Sequence, residues 1–360
     1  MSRRIAFVLP SLLGGGAEFV AATWAQELTV RGYEVEIVLL RARPEEPELS
    51  GVTVISASRE GVGRRGETAA LRRYLAGSTA ELVISMMTRA NIQLLREVAR
   101  LAADKRPRVA ISERNIPFAE RSHSALHVAA RNLAFRRLYR KADAFIAISH
   151  PVGAVFAFAG DLPGERVWVV PNPAVGKVGS YRAREAAASS QPIHLVIPGR
   201  LVDKKRPHLA LEIAARVATE HPVEGVTFFG AGPLDASLAS AGGDVPVHLA
   251  GRVENWFEAL PPNAVCLLPS AVEGFGNVLL EAASQGVPCV VGSTAYGSAD
   301  ALVPGVSGAF ARSDSVDEYA HAVLEAHRQR TDVPAGWLDV FSTRGSTDVL
   351  ERAIRATLAR

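Results

Sequence analysis

The chain has 360 residues, 48% of them hydrophobic and 21% charged, close to the averages of soluble globular proteins, which argues against a disordered, collagen-like or disulfide-scaffold chain. At roughly 150 residues per domain the length predicts about two domains. The formal charge of +3 disfavours nucleic acid as a partner but hides an asymmetry: residues 1–173 carry 24 Lys and Arg against 17 Asp and Glu, a balance of +7, whereas residues 174–360 carry 16 against 20, a balance of −4.

Ser2-Arg3-Arg4 leads straight into a short apolar run that Pro10 and a glycine cluster end, so no signal peptide is expected. Strands are predicted at 5–9, 35–40, 52–56, 82–85, 109–112, 144–148 and 167–170. Helices are predicted between them near 17–31, 67–76, 91–103, 123–140 and 151–159. Such alternation is the pattern of a parallel sheet with crossover helices, a doubly wound α/β domain. The rhythm breaks at Pro171-Asn172-Pro173, and residues 174–191, rich in Gly, Ser, Ala and charge, are predicted to be a linker.

A second set follows, with strands near 193–197, 226–229, 247–250, 265–268 and 289–291 and helices near 207–219, 233–239, 276–285 and 316–326. The expected division is therefore 1–173, a linker 174–191, a second Rossmann-like domain 192–335, and a helical segment 336–360. The last helix, near 347–358, comes after the second domain is complete and is expected to cross back to the first. Ligands of open α/β sheets bind at the carboxyl ends of the strands, so a cleft between two such sheets is the expected site.

Only two cysteines occur, Cys266 and Cys289, each inside an apolar strand-like run and neither with zinc-ligand spacing. A reduced, cytoplasmic protein fits this usage. The long uncharged stretch 144–160 is interrupted by Ser149, His150 and Pro151 and falls short of the ~20 apolar residues of a membrane helix.

Four segments sit at predicted strand-to-helix turns. In the stretch Pro269-Ser-Ala-Val-Glu273-Gly274-Phe275-Gly276-Asn277-Val278-Leu-Leu-Glu281, two acids with seven residues between them flank a glycine turn. The glycines let backbone approach a ligand, and the amides near Asn277 and Val278 at a helix start suit a phosphate. One acid can meet a sugar and the other a ribose; alternatively Glu281 pairs on a surface helix and Glu273 is a solvated loop acid. The second segment, Gly199-Arg200-Leu-Val-Asp-Lys204-Lys205-Arg206, puts Arg200 and Lys205 where two cations can hold a diphosphate and stabilise it as it leaves, or it is simply a solvated basic turn. The third, Gly230-Ala-Gly232-Pro, allows a tight turn near a base, as many turns do. The fourth is Gly14-Gly15-Gly16-Ala-Glu18-Phe19, where Phe19 stands in place of the small residue that ends a dinucleotide fingerprint. A nicotinamide site is therefore disfavoured, and this loop is left to line the cleft or to serve as a plain turn.

Taken in order, these segments with Pro171-Asn-Pro173 resemble the retaining GT-B glycosyltransferases of family GT4 over nearly the whole chain, the two-glutamate segment being the most specific. The resemblance implies two Rossmann-like domains, a nucleotide-sugar donor on the second and an acceptor on the first. It implies catalytic roles for Arg200 and Lys205 at the diphosphate and for Glu273 at the donor sugar. Further donor contacts are implied for Gly15, Gly16, Gly199, Arg252, Val253, Phe275, Gly276, Asn277, Val278 and Glu281. No Asp-X-Asp pair occurs, so no metal–diphosphate site is expected, and no cofactor is implied beyond the donor.

After the strand at 109–112, many members carry a His, whereas here the loop reads Ser112-Glu113-Arg114-Asn115. That sequence is similar to a subset of N-acetylhexosaminyl transferases of bacterial surface-polysaccharide pathways, which shifts the expected donor towards UDP-N-acetylhexosamine. Glu113, Arg114, Asn115 and His123 are the acceptor-side candidates. Rivals on the same fold are a UDP-N-acetylglucosamine 2-epimerase and a non-catalytic sugar-nucleotide-binding protein.

Finally, Arg131, Arg136, Arg137, Arg140 and Lys141 interleave with Leu133, Phe135, Leu138 and Tyr139. A cationic amphipathic helix of this kind can lie on an anionic membrane surface and meet a lipid-linked acceptor. The alternative is that Leu133 and Leu138 face the core beneath solvated arginines.

Overall fold

Among the described residues, thirteen strands form two wholly parallel sheets, seven in one and six in the other. The computed structural model describes residues 2–114, 133, 135–185, 190–241 and 243–360. Residues 1–173 with 341–360 make one compact unit, and residues 174–340 make the other.

In unit 1 the strands β1 (Arg4–Leu9), β2 (Glu34–Leu39), β3 (Thr53–Ser56), β4 (Leu82–Met86), β5 (Arg108–Glu113), β6 (Ala144–Ala147) and β7 (Val167–Val169) lie in the order β3-β2-β1-β4-β5-β6-β7. Every residue of β1 after Arg4 is buried, as expected for a strand covered on both faces. The order reverses between β1 and β4, so the loops leaving those two strands diverge and open a crevice at their carboxyl ends.

Helix Gly16–Val30 buries Val20, Ala21, Trp24, Ala25 and Leu28 along one stripe, against Phe7, Leu9 and Ile37 of the sheet. The last helix, Thr343–Leu358, adds Leu350 and Ile354 to that same core. Ser342 caps its start by accepting from the Gly345 amide at 3.0 Å. Trp24 Nε1 donates to Ser346 Oγ at 2.7 Å, which donates on to the Pro171 carbonyl at 2.5 Å. Arg31 pairs with Asp348 at 2.7 Å and Glu351 at 3.0 Å. The chain therefore finishes unit 1 with its last twenty residues.

In unit 2 the strands are β8 (Ile193–Pro198), β9 (Val223–Phe229), β10 (Val247–Gly251), β11 (Ala264–Leu268), β12 (Cys289–Gly292) and β13 (Gly308–Ala311), ordered β10-β9-β8-β11-β12-β13. Here the reversal falls between β8 and β11. Helix Val316–His327, capped by Ser315 accepting from the Glu318 amide, seats Tyr319 and Val323 in the core with Leu195, Val265 and Val290.

Three expectations need correcting. The sixth strand of unit 2, Gly-Ala-Phe-Ala, carries no β-branched residue and a single strand-favouring side chain, Phe310, too weak a propensity signal to mark it; it forms because it pairs with β12, where a Cβ on Gly308 would stand 1.8 Å from the Cys289 carbonyl oxygen. The start of the predicted linker packs into unit 2: the Arg182 amide donates to Ser284 O at 2.7 Å, and Arg184 and Thr331 exchange backbone bonds of 2.8 and 2.9 Å. In the basic helical stretch, it is Phe135 and Tyr139 that enter the core, with ring centroids 5.8 and 5.9 Å from Phe156, while Leu133 is 50% exposed. Aromatic area outweighs aliphatic area in choosing the buried face. Arg131 and most of the predicted helix 123–140 lie outside the described residues.

Candidate functional site

The reversal point of unit 2 gathers the loops that follow β8 and β11. Lys205 Nζ donates to Glu273 Oε1 across them, with the Lys side chain 25% and the Glu side chain 11% exposed. The Ala271 amide donates to the Lys204 carbonyl at 3.0 Å and ties the two loops together. Of the four cations in the first loop, Arg206 is structural. Its Nε donates to Pro269 O at 2.6 Å, and its two terminal nitrogens grip Asp314 at 2.6 and 2.7 Å. It holds a left-handed backbone, φ +47, directly before Pro207 starts the next helix. Arg200 is exposed at the mouth of the loop.

Helix Asn277–Ser284 begins at Gly276, whose φ of +90 suits only glycine and which offers no side-chain cap. The first-turn amides of Asn277 and Val278 thus start a helix N-terminus without a capping side chain. Gly274 and Phe275 form the turn into it, and Gly297 packs so closely behind that a Cβ there would stand 2.2 Å from Gly274 O and 2.4 Å from Glu273 O. Glu281 lies one turn on, half-buried, and its Oε2 accepts from Trp256 Nε1 at 2.6 Å. Burial pushes its carboxyl above the ordinary range, against the opposing pull of Trp256 and Lys177. Trp256 was not singled out in the sequence; a tryptophan four residues after Arg252 was the available signal. Arg252 and Val253 are exposed just beyond β10.

The Gly230–Gly232 turn serves packing. A Cβ on Gly230 would stand 1.8 Å from Gly199 O, and one on Gly232 2.3 Å from Leu201 O. The Gly199 amide donates to Phe229 O at 2.9 Å and the Leu201 amide to Ala231 O at 3.1 Å. Backbone thus lies directly on backbone, and the Gly230–Gly232 turn fixes the shape of the loop that carries Arg200. In unit 1, Gly15 precedes helix Gly16–Val30, and its amide donates to Glu18 Oε2 at 3.0 Å. A carboxylate of the chain itself therefore sits at that N-terminus.

Glu113, the last residue of β5, is buried and points into a polar knot. Thr88 Oγ1 donates to it at 2.8 Å, Asn91 Nδ2 at 2.9 Å, and the Tyr139 hydroxyl also donates. Burial pushes its carboxyl up to about 7, and the three donors hold it lower than burial alone would. Met87, in the turn after β4, has φ +77, a strain held in place by its amide bond to Ser112 O at 3.0 Å.

Arg114 is also buried, with its guanidinium 5.6 Å from the centre of the Trp24 ring and Nη2 donating to Asn172 Oδ1. Burial lowers it to about 9, with Glu18 opposing. The predicted acceptor-side residues Glu113 and Arg114 are thus both buried inside unit 1, where Arg114 braces Asn172 of the Pro171-Asn172-Pro173 segment. Asn115 and His123 lie outside the described residues.

Comparison with known proteins agrees with this division. Residues 192–329 match the family described as glycosyl transferases group 1, and residues 15–173 match the glycosyl transferase 4-like domain. The chain is 27% identical over 178 residues to the phosphatidylinositol N-acetylglucosaminyltransferase gpi3 subunit of Schizosaccharomyces pombe, covering 48% of this chain and 38% of that protein. It is 31% identical over 147 residues to the Vi polysaccharide biosynthesis protein VipC/TviE of Salmonella typhi, covering 37% and 25% respectively. The matched region spans well under half the length of either relative.

Similarity to solved structures extends along the full chain. The lipopolysaccharide outer core galactosyltransferase WaaB in its apo form has a TM-score of 0.74 at 19% identity, covering 98% of this chain and 99% of that one. The pneumococcal O-GlcNAc transferase GtfA in complex with UDP and GlcNAc has a TM-score of 0.69 at 14% identity, covering both chains entirely. With two doubly wound parallel units, each matched by its own family in this order, the chain belongs to the group 1 glycosyltransferases of GT-B fold.

Proposed function

We propose that this protein transfers a hexose or N-acetylhexosamine from a UDP-sugar, with retention of configuration and without a metal ion, to a glycan or lipid-linked glycan of a bacterial surface polysaccharide or glycoconjugate. The observation that carries this reading is the Lys205–Glu273 pair at the strand reversal of unit 2, beside a helix N-terminus without a capping side chain. A diphosphate arriving there meets the ammonium of Lys205, the guanidinium of Arg200 and first-turn amides, three kinds of donor that favour negative charge. As the C1–O bond to the diphosphate breaks, the charge left on the phosphate grows, and these groups stabilise it without reorganising. The acceptor hydroxyl attacks C1 from the side the diphosphate leaves, and its proton passes to the departing phosphate oxygen. Glu273 then holds the sugar and Glu281 the ribose.

The UDP donor is supported by relatives of the same fold that are described with UDP bound. The surface-glycan setting is supported by the Vi polysaccharide relative and the lipopolysaccharide transferase fold. For the acceptor side, unit 1 leaves Leu133 50% and Phe158 83% exposed, with Arg136, Arg137, Arg140 and Lys141 exposed beside Leu133 in the sequence. Apolar tips among cations suit an anionic membrane surface holding a lipid-linked acceptor. Among the described residues, no helix is long and apolar enough to cross a membrane.

The test is a thermal-shift panel of nucleotide sugars followed by a transfer assay with EDTA present. Stabilisation by UDP-sugars and an α-configured product from an α-configured donor are expected. An epimerised UDP-sugar formed without acceptor would overturn the reading in favour of a 2-epimerase. Binding without turnover on any acceptor or water would favour a non-catalytic binding protein.

A further inference from the structure

We propose that unit 2 holds a second anion site, at the opposite end of its strands from the Lys205–Glu273 pair, in which the Arg184 guanidinium, Thr331 and Gln329 bind a small oxyanion that carries a proton, such as hydrogen phosphate or bicarbonate.

Arg184 and Thr331 are locked side by side by their two backbone bonds. The Arg184 backbone has no room to withdraw, since a Cβ on Gly286 would already stand 2.8 Å from its nitrogen. One terminal nitrogen, Nη1, donates to Pro262 O at 3.0 Å and Ala264 O at 2.7 Å. Those carbonyls lie at the amino-terminal start of β11, whereas Glu273 follows its carboxyl end. The other edge of the guanidinium, Nε and Nη2, is buried with no hydrogen-bond partner among the described residues. That edge is the planar fork that grips an oxyanion through two parallel bonds.

Three more buried polar atoms without partners belong to residues close by: Thr331 Oγ1, Gln329 Nε2 and His327 Nδ1. Buried polar atoms are almost always satisfied, so five in one neighbourhood indicate a bound group. The charge balance identifies its sign. Among the described residues no carboxylate pairs with Arg184, and burial, opposed by Cys289, lowers it to about 10. Burial and the neighbouring His221 lower the pKa of His327 and so disfavour its charged form. An uncompensated buried guanidinium is costly, and a bound anion removes that cost. The donors are the fork, the Gln329 amide and the Thr331 hydroxyl. His327 spends its Nε2 on Gln191 O at 3.0 Å, which leaves Nδ1 as an acceptor that an anion bearing a hydroxyl can satisfy and a halide cannot.

The experiment measures melting of the full chain in inorganic phosphate, bicarbonate or bromide at constant pH and ionic strength. A saturable rise in Tm of about 3 °C or more is expected with phosphate or bicarbonate and not with bromide. The rise should persist in Lys205→Ala, which weakens phosphate binding at the other end of the sheet, and disappear in Arg184→Gln and separately in Thr331→Val. Equal Tm in all three salts, a response to bromide alone, or a phosphate response that survives both Arg184→Gln and Thr331→Val would overturn the proposal. Should Arg184→Gln fail to fold, Thr331→Val decides it, since loss of one hydroxyl leaves the guanidinium brace to Pro262 and Ala264 in place.

Discussion

Lys205 and Glu273, 68 residues apart in sequence, form an ion pair where the loops after β8 and β11 meet. Before any donor is bound, the pair holds the ammonium at the strand reversal. Lys205→Ala should lower kcat about 10²-fold or more by removing charge stabilisation of the leaving diphosphate. It should also lower the Tm of the free protein, because Glu273 is left largely buried and unpaired. Steady-state kinetics with a saturating donor check the first effect, and near-native turnover would exclude Lys205 from that role.

Gly230→Ala tests whether backbone packing shapes the site. A Cβ 1.8 Å from the Gly199 carbonyl oxygen cannot be absorbed by a side chain turning aside, so the loop carrying Arg200 must shift. The donor KM should rise about 10-fold or more, since small misplacements at a site are costly in binding and rate. An unchanged KM in the same assay would show that the loop is free to move.

Glu113→Gln tests the buried carboxyl of unit 1. The folded protein keeps its proton up to about pH 7, whereas an unfolded chain releases it at the ordinary carboxylate value. Between those values the native state binds more protons, so stability falls as pH rises. At about 1.4 kcal/mol per pKa unit, the loss across the interval is up to about 3 kcal/mol. Urea unfolding at pH 5 and pH 8 should show this decline in the native protein and a flatter profile in Glu113→Gln; parallel profiles would show that the carboxyl does not titrate there.

Replacing Arg136, Arg137 and Arg140 together by Gln should abolish sedimentation with vesicles containing anionic lipid. Each cation near such a surface contributes about 1 kcal/mol. None of the three is buried, so the Tm should stay within about 2 °C of the native value. Undiminished sedimentation would remove this face from the acceptor side.

Much of the architecture was legible in the sequence because parallel strands covered on both faces write themselves as short apolar runs, and the residues of β1, β4 and β11 are such runs. The break at Pro171-Asn172-Pro173 was legible for a related reason, since two prolines stop both helix and ladder. β13 was not, because Gly308–Ala311 owes its strand to a neighbour rather than to its own side chains. The buried face of the basic stretch was left open by the sequence because Phe135 and Tyr139 are chosen by the Phe156 ring, a partner that periodicity does not reveal.

The same distinction runs through the site. The sequence by itself determined two doubly wound units, a shift of charge between them, and glycine turns followed by acids and cations at strand ends, because local propensity and spacing are properties of adjacent residues. Only the tertiary structure sorted the cations that look alike in sequence. Arg206 braces Asp314, Lys205 pairs with Glu273, and Arg184 is half-buried with the covered edge of its guanidinium unpaired among the described residues. The role of a charged side chain depends on which distant residue it meets and how much water it loses in doing so, and the fold alone decides both.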